Sequence, residues 1–548
     1  MSYFGIDLGT TNSCLARYDE QRKCAVVITN NDESAQTIAS VVAFSPDDDN
    51  TAYVGKCAQA VMEDCPERGI KLVKRYMGSD DYVLELKEGA KFRPHDISTF
   101  ILKKIMKYGA ATTGEEIKDA VVTVPAYFGY REREATRKAA EAAGLNLRAL
   151  IDEPTAAALS YFQDYSSLDP LTVFVYDLGG GTFDVSAVRM TFSEDGKQSV
   201  EVLTFAGNHR LGGSDWDRQL CTLITEKVKA ELQQRDPSLS LSDNDISMIM
   251  NKTEEIKMRL TSMDTTTFKG TFSGARINVP VTREEFEACT SGLMDQTKTL
   301  CKAVLDHPTM KDVHVDKVLL VGGSSLMPMV RNMMRDIFPD PDVEIKLSEP
   351  HHSVAKGACI ACYMGLGDTP VFTDPSNDPG PEPPHGPEVI PVVPKSVGFR
   401  LFDKINNTRY IDTRIFRGEK MTDNGHLQIT IDDYGPVRDN LPCVTVAAYE
   451  LNNDDVNSRR VNVNWADNTF QTVKENDNPY GIRYMGELVL PLEPGTPAHA
   501  HLRLIVDVST TGLRLECYNL DTNGEHHDVT LNMVSKVNTD DVEQYGLE

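Results

Sequence analysis

The sequence predicts an α/β domain of two lobes followed by an all-β sandwich, and three observations carry that prediction. A strand, an aspartate and a glycine-rich turn stand at Phe4–Ser13 and return at Val173–Val185, a duplication that implies two similar lobes facing a cleft. Strands alternate with helical stretches from the start to about residue 367. Beyond a proline-rich stretch, short alternating segments divided by turn formers take over, the pattern of an antiparallel sandwich. A chain of 548 residues is also too long for one core.

The first hairpin reads Phe-Gly-Ile-Asp-Leu-Gly-Thr-Thr-Asn-Ser. An apolar strand ends in Asp7, and Gly9, Thr10 and Thr11 make a turn that only small residues allow, with Asn12 just after it. Such a turn offers backbone N–H groups and hydroxyls to a phosphate chain, while a carboxylate beside it suits a hydrated divalent cation. The second copy supplies Asp177, Gly179, Gly180, Gly181, Thr182 and Asp184. A third element, Val318–Ser325, runs a buried strand into Gly322, Gly323 and Ser324 ahead of a helical stretch, which suits a nucleotide's sugar or phosphate. Together these predict a nucleotide clamp.

The remaining elements follow in order. A strand is expected at Cys24–Thr29, a basic helix at Lys71–Met77, a long helix at Asp96–Tyr108 and a strand at Ala120–Pro125. Helices are expected at Arg131–Ala143, closed by Gly144, and at Asp215–Leu232, Asn244–Leu260, Arg283–His307, Ser325–Ile337 and Ser353–Met364. Eight prolines between Asp374 and Pro394 make a stiff linker. Sandwich strands are expected at Val397–Asp403, Tyr410–Arg417, Leu427–Ile431, Cys443–Glu450, Arg460–Trp465, Gly486–Leu492, His501–Val508, Gly512–Tyr518 and Val529–Val534. Turns at Asp423-Asn424-Gly425, Pro494-Gly495 and Thr522-Asn523-Gly524 separate some of them. The expected units are 1–367, a linker 368–394, a sandwich 395–536 and a short tail 537–548.

A formal net charge of −26 argues against nucleic-acid or anionic-membrane partners, which favour a basic face. No apolar run has the length of a membrane span and no signal-like start is present, so a cytoplasmic setting is expected. Eleven cysteines, an odd and scattered set, do not form a disulfide framework. Cys359 and Cys362 fit one face of a buried helix better than a zinc site, and the pairs His351-His352 and His526-His527 fit the surface.

Several longer motifs resemble the DnaK-type 70-kDa heat-shock chaperones over nearly the whole chain. They are Gly5–Ser13, Thr123–Phe128, Asp152–Ala158, Tyr176–Asp184 and Leu211–Asp215, in the family's order. The resemblance implies an actin-like ATPase domain joined to a peptide-binding β-sandwich. It makes Lys74 the catalytic lysine, with Glu153, Asp177 and Thr182 beside it, and Asp7, Asp177 and Asp184 the groups that hold magnesium, with potassium as a further cation. Phosphoryl transfer needs this kind of positive charge and an oriented water more than covalent chemistry. Asn12, Gly212 and Gly213 join the phosphate contacts, while Glu254, Lys257, Met258, Thr261, Gly323, Ser324 and Leu326 fall in the nucleoside pocket. Pro125 and Arg133 match the relay to the second domain, and Phe399, Phe402, Val444 and Val446 fall near the peptide groove. ATP or ADP, unfolded polypeptide clients, a J-domain co-chaperone and a nucleotide exchange factor are the implied ligands and partners.

Three departures stand out. Met258 and Leu326 occupy positions that are often basic, so adenine is expected to meet apolar packing without cation–π attraction and to bind more weakly. In the linker, Val389-Ile390-Pro391-Val392 places proline where the family carries an acidic residue, which removes a backbone donor and predicts weaker coupling. Asn538–Tyr545 resembles the first turn of a helical lid, and the sequence given ends at Glu548; a fast peptide release follows if no lid is present. Two other readings stay open: a small-molecule kinase of the same two-lobed fold, and a scaffold switched by nucleotide.

Overall fold

The computed structural model describes residues 2–365 and 388–547, apart from 48–49, 164–168, 193–197, 404, 423–424, 437, 453–457, 467–468, 475–477, 498–499, 511 and 522–525. Most of the proline-rich linker and the turns at Asp423-Asn424 and Thr522–Gly524 lie outside the described residues.

The duplication seen in the motifs is a duplication of topology. In the first lobe, strands Asn146–Asp152, Asp119–Val124 and Phe4–Asp7 run parallel, and Asn12–Asp19 and Cys24–Val27 continue antiparallel. In the second, Glu344–Leu347, Lys317–Val321 and Leu171–Leu178 run parallel, and Phe183–Phe192 and Gln198–Asn208 continue antiparallel. Each glycine-rich turn therefore joins the third and fourth strands of its own sheet. Helix Ser353–Tyr363 lies between the lobes and packs on helix Glu153–Phe162 so closely that a Cβ on Gly357 would sit 1.7 Å from the Ala156 carbonyl oxygen.

Separate cores hold the lobes. Phe4, Phe44, Phe92 and Phe100 fill the first, and Phe174, Tyr176, Phe183 and Trp216 the second. Three expected helices are altered. Leu72 takes φ +60°, a left-handed conformation that no helix continues through, so Lys71–Met77 shrinks to a 3₁₀ turn over Val73–Tyr76. Arg283–His307 divides into Arg283–Cys289 and Ser291–Leu305 at Thr290, whose hydroxyl donates back to the Phe286 carbonyl at 2.7 Å. The segment from Ser325 opens with a 3₁₀ turn, Gly323–Leu326, before helix Pro328–Ile337. A helix at Lys56–Asp64 and a hairpin of Thr265–Phe272 with Ala275–Thr282 carried no clear signal in the sequence.

The sandwich has a five-stranded sheet, ordered Arg460–Asn462, Thr408–Ile415, Ser396–Asp403, Cys443–Leu451, Arg483–Pro491. A four-stranded sheet faces it, ordered His426–Tyr434, Leu502–Ser509, Leu513–Asn519, His526–Thr530. Phe399, Val444 and Val446 point between the sheets and are buried with Leu504, Val506 and Leu515. The expectation that they line a groove thus meets a packed core. Only Phe402 stays half-buried, with Arg409 5.6 Å from its ring centroid. The outer face of the same sheet carries Ile411, Val461, Ala447 and Tyr449, packed with Trp465 and Val473.

Both ends of the sandwich are fastened to the two-lobed domain. At the entry, Glu388–Ile390 adds a parallel strand to the second lobe's sheet beside Ser199–Glu201, and Val392 is buried in the apolar cluster that both lobes share. Pro391 falls just past the paired residues and its carbonyl accepts from the Met421 N–H at 2.9 Å, so the proline costs this docking no hydrogen bond. At the exit, the expected lid turn is a six-residue helix, Thr539–Gln544, followed by Tyr545 and a strand Gly546–Leu547. This strap lies on the first lobe. Gly546–Leu547 pairs parallel with Thr51 and Ala52, and Tyr545 sits against Phe44 and Phe92 with ring centroids at 4.8 and 5.8 Å. The backbone N–H groups of Met533, Ser535 and Asn538 donate to Glu134, Asp80 and Asp96 at 2.7, 2.8 and 2.8 Å.

Candidate nucleotide site

The two hairpins meet across one cleft. Asp7 ends the strand Phe4–Asp7, and the turn behind it is so tight that a Cβ on Gly9 would lie 1.9 Å from the Asn12 carbonyl oxygen. In the second hairpin Asp177 and Asp184 are directly paired across the strands, and Gly179 N–H closes the turn on the Thr182 carbonyl at 3.1 Å. Cβ atoms on Gly180 and Gly181 would sit 1.9 Å from Thr11 Oγ1 and 2.1 Å from Thr10 Cγ2. Only glycine lets the loops interlock this closely. Helix Gly213–Arg235 starts against the same loop, its Gly213 and Ser214 N–H groups donating to the carbonyls of Gly179 and Gly180 at 2.9 and 2.8 Å.

The cleft is open to solvent, and about 590 Å³ between its walls, solvent-side space included, is free of protein atoms. Asp7, Gly9, Thr10, Thr11, Asn12, Glu153, Asp177, Gly179, Gly180, Thr182, Gly322 and Gly323 line it, as the motifs led one to expect. Thr37, Pro350, His351 and Val354 line it as well, and no motif marked them. Gly322, at φ +80°, is held where any Cβ would strike the Leu178 carbonyl and Asp177 Oδ1.

Charge is concentrated here and undercompensated. Buried Lys74 forms an ion pair with buried Glu153, and its Nζ lies 5.9 Å from the Phe128 ring centroid. Asp7 accepts from Thr123 Oγ1 at 3.2 Å, and Asp184 accepts from the Ala126 N–H at 3.0 Å. Burial pushes the Asp7 carboxyl up to about 7, with Glu153 adding to the rise and Lys74 opposing it. Asp177 and Asp184 are driven well above the carboxylate range by burial and then by Glu153. Four carboxyl groups thus share one lysine, an arrangement that lacks positive charge. The hydroxyls of Thr10 and Thr11 are buried with no hydrogen-bond partner among the described residues. These unmet hydroxyls, the close-packed glycine loops and the excess of carboxylates fit a phosphate chain carrying a divalent cation. Among the described residues no group of three or more His, Cys, Asp or Glu could hold a metal unaided, so phosphate oxygens and water must complete the shell of any ion placed here.

The expected nucleoside residues are more dispersed. Lys257 Nζ donates to the Gly213 carbonyl at 3.1 Å and pairs with Asp217 at 2.9 Å. A Cβ on Gly213 would touch both Ser324 Oγ and Lys257 Nζ, which ties helix Asp243–Ser262 to the last glycine turn. Glu254 and Met258 face solvent on that helix, Thr261 is half-buried, and Leu326 is exposed. Met258 and Leu326 are exposed by 66% and 39%.

From this cleft a chain of contacts runs to the sandwich. Arg133 is buried, donates to the Phe128 carbonyl at 2.9 Å and pairs with Asp152, the neighbour of Glu153. Pro125 precedes Ala126, which holds Asp184. Tyr130 lies in the sandwich core, and its N–H donates to Glu450 of the sandwich at 3.0 Å. Arg483 pairs with Glu132 and lies 3.6 Å from Glu450.

Two lobes of one topology, closed on a phosphate-type cleft and joined to a β-sandwich, define a nucleotide-binding protein with a second domain docked on it. The Hsp70 protein family model matches residues 3–373, and the chain belongs to that family. It is also similar to the chaperone protein DnaK of Thermosipho melanesiensis, with 35% identity over 371 residues that cover 66% of this chain. The chain spans 59% of the length of that relative.

Proposed function

We propose that this protein is an ATP-hydrolysing chaperone that holds extended, unfolded polypeptide segments under the control of its nucleotide. One observation carries the reading: the interlocked hairpins bring Asp7, Asp177, Asp184 and Glu153 around Lys74 beside two unmet threonine hydroxyls. In this arrangement Gly9, Thr10, Thr11 and Asn12 take one side of the phosphate chain, and Gly179, Gly180, Gly181 and Thr182 the other. Gly212, Gly213, Gly322, Gly323 and Ser324 shape the far wall. Bound magnesium would supply positive charge to the terminal phosphate oxygens, with Asp7 and Asp177 holding its water shell and Asp184 and potassium in support. Lys74 adds a proton donor fixed by Glu153, and Thr182 with Glu153 orients the attacking water.

Hydrolysis then alters the sandwich through Pro125, Arg133 and Tyr130, whose contacts already join the cleft to Glu450. A sandwich can recognise extended chain by backbone pairing and side-chain pockets, with nucleotide setting the affinity by linkage. A J-domain co-chaperone and a nucleotide exchange factor are the partners proposed, in a cytoplasmic setting. No helix among the described residues is long and apolar enough to cross a membrane.

The test is to incubate the protein with ATP and magnesium, with and without an unfolded peptide, and follow phosphate. Free phosphate whose release rises with peptide supports the chaperone. Phosphate transferred to a sugar would replace it with a kinase, and no turnover would replace it with a nucleotide-switched scaffold.

A further inference from the structure

Arg75 follows Lys74 on the 3₁₀ turn Val73–Tyr76 of the first lobe but faces the other way, into the second lobe. Its Nε donates to the Gly181 carbonyl at 2.7 Å, and its Nη2 donates to Asp215 Oδ2 at 2.6 Å. Both side chains of this pair are nearly buried, each exposed by 10%. Asp215 is itself fixed. Its Oδ2 also accepts from the Gly212 N–H at 2.9 Å, closing the first turn of helix Gly213–Arg235, and its Oδ1 accepts from Arg218 at 3.0 Å. The guanidinium therefore spans the two parts that build the second phosphate wall: the glycine loop and the helix start that hydrogen-bonds to it.

Two features make this more than a surface ion pair. A planar fork can satisfy a carbonyl and a carboxylate at once, which an ammonium at one point cannot. In addition, Lys74 and Arg75 share one short turn entered through the left-handed Leu72, so a displacement of Arg75 is passed directly to the lysine. Separating the lobes must break both Arg75 contacts, because neither has slack.

We propose that Arg75 is a positioning residue that latches the two lobes over bound nucleotide and seats Lys74 only when the cleft is shut. The inference rests on the nucleotide reading above. When the latch is closed, nucleotide leaves slowly and Lys74 stays on Glu153. When it opens, the glycine wall moves away from Thr10 and Thr11 and the lysine loses its fixed place.

The experiment compares Arg75→Met, Arg75→Lys, Asp215→Asn, the Arg75→Met/Asp215→Asn double variant and Arg218→Ala in the full chain. Asparagine keeps a cap acceptor for the helix start, so Asp215→Asn tests the charge bridge and spares the fold. Release of a fluorescent ADP analogue is followed after mixing with excess unlabelled ADP, and steady-state ATP hydrolysis gives kcat separately from KM. Arg75→Met is expected to speed release at least tenfold and to raise KM more than it lowers kcat. Arg75→Lys is expected to recover only part of the loss, and the double variant to release no faster than the faster single. Arg218→Ala, which removes a charge from the same carboxylate within one lobe, is expected to leave release unchanged. Release within twofold of the parent in Arg75→Met, or effects of Arg75→Met and Asp215→Asn that multiply, would overturn the latch. A parent protein that takes up no ADP analogue at all would instead sink the nucleotide reading, a distinct result.

Discussion

Replacing Tyr545 with alanine tests whether the strap on the first lobe is a separate fastening. The Tyr545 ring is 5% exposed and stands edge-on to Phe44 and Phe92. Truncating a buried aromatic to alanine costs about 3–5 kcal/mol where the site cannot collapse, and each ~1.4 kcal/mol is tenfold in an equilibrium. Without it the first lobe keeps Phe44 stacked on Phe92, with Phe100 edge-on to both. The loss should therefore fall on the strap, whose other holds are Val542, the two-residue strand and single backbone bonds such as Gly546 N–H to the Asn50 carbonyl at 2.7 Å. Taking 3 kcal/mol, about two decades of protection should vanish from the amides of residues 533–547 and of Thr51–Val54, while helix Pro94–Thr113 keeps its own. Native-state hydrogen exchange reads this directly. Equal loss throughout the first lobe would refute the idea of a strap that opens by itself, and no loss anywhere would refute its docking.

Other outcomes follow from the cleft and its surroundings. Lys74→Met should lower single-turnover ATP cleavage by about 10²–10³, the usual loss for one charge-stabilising donor, with ADP affinity in a calorimetric titration little changed. Leu326→Arg should strengthen ADP binding by supplying a guanidinium to the base, by roughly 0.5–2 kcal/mol; an unchanged Kd would dispose of the apolar adenine grip. His95 is fully buried beside Asp96, with Asp80, Arg93 and the Lys536 backbone near. Burial lowers its pKa below the ordinary 6.5, so the unfolded chain takes up the proton first as pH falls. Its contribution is whole above pH 6.5 and is lost progressively below it. Urea midpoints measured between pH 7.5 and 5.5 should fall less steeply in His95→Gln than in the parent.

Much of the site was legible because its chemistry restricts residue type. Loops that interlock at under 4 Å admit only glycine and small hydroxyl residues, so Gly9–Asn12 and Gly179–Thr182 announce themselves. Arg75 gave no such signal, since an arginine beside a lysine in Leu-Val-Lys-Arg-Tyr-Met-Gly is equally at home on a solvated face, and only the approach of the second lobe gives it partners. His351 likewise enters the cleft because Gly323 leaves room against its ring. In the sandwich, alternation tells which residues share a face but not which face is covered. Phe399 and Val446 share a face with Ala448 and are sealed by the opposing sheet, while Ala447 and Tyr449 take the other. The strap failed for a different reason. Asn538–Tyr545 has the polar, acidic start of a helix, but the pairing of Gly546–Leu547 with Thr51–Ala52 is non-local and leaves no periodic trace.

The two fastenings together change what the unusual linker means. A strand at Glu388–Ile390 extends the second lobe's sheet, and the strap extends a sheet of the first, so the sandwich is held to both lobes across the cleft. A relative movement of the lobes must then strain one fastening or the other, or the Glu132–Arg483–Glu450 contacts between them. In strand pairing the strap is the shorter of the two. Its strand is two residues long, whereas the linker strand is three residues long and is followed by Val392, buried in the apolar cluster that both lobes share. Under the proposed function, coupling between nucleotide and sandwich is expected to depend less on the missing donor of Pro391 than on how readily Tyr545 leaves Phe44 and Phe92. Charge at Tyr545 should uncouple the domains more than an acidic residue restored at 391 could tighten them.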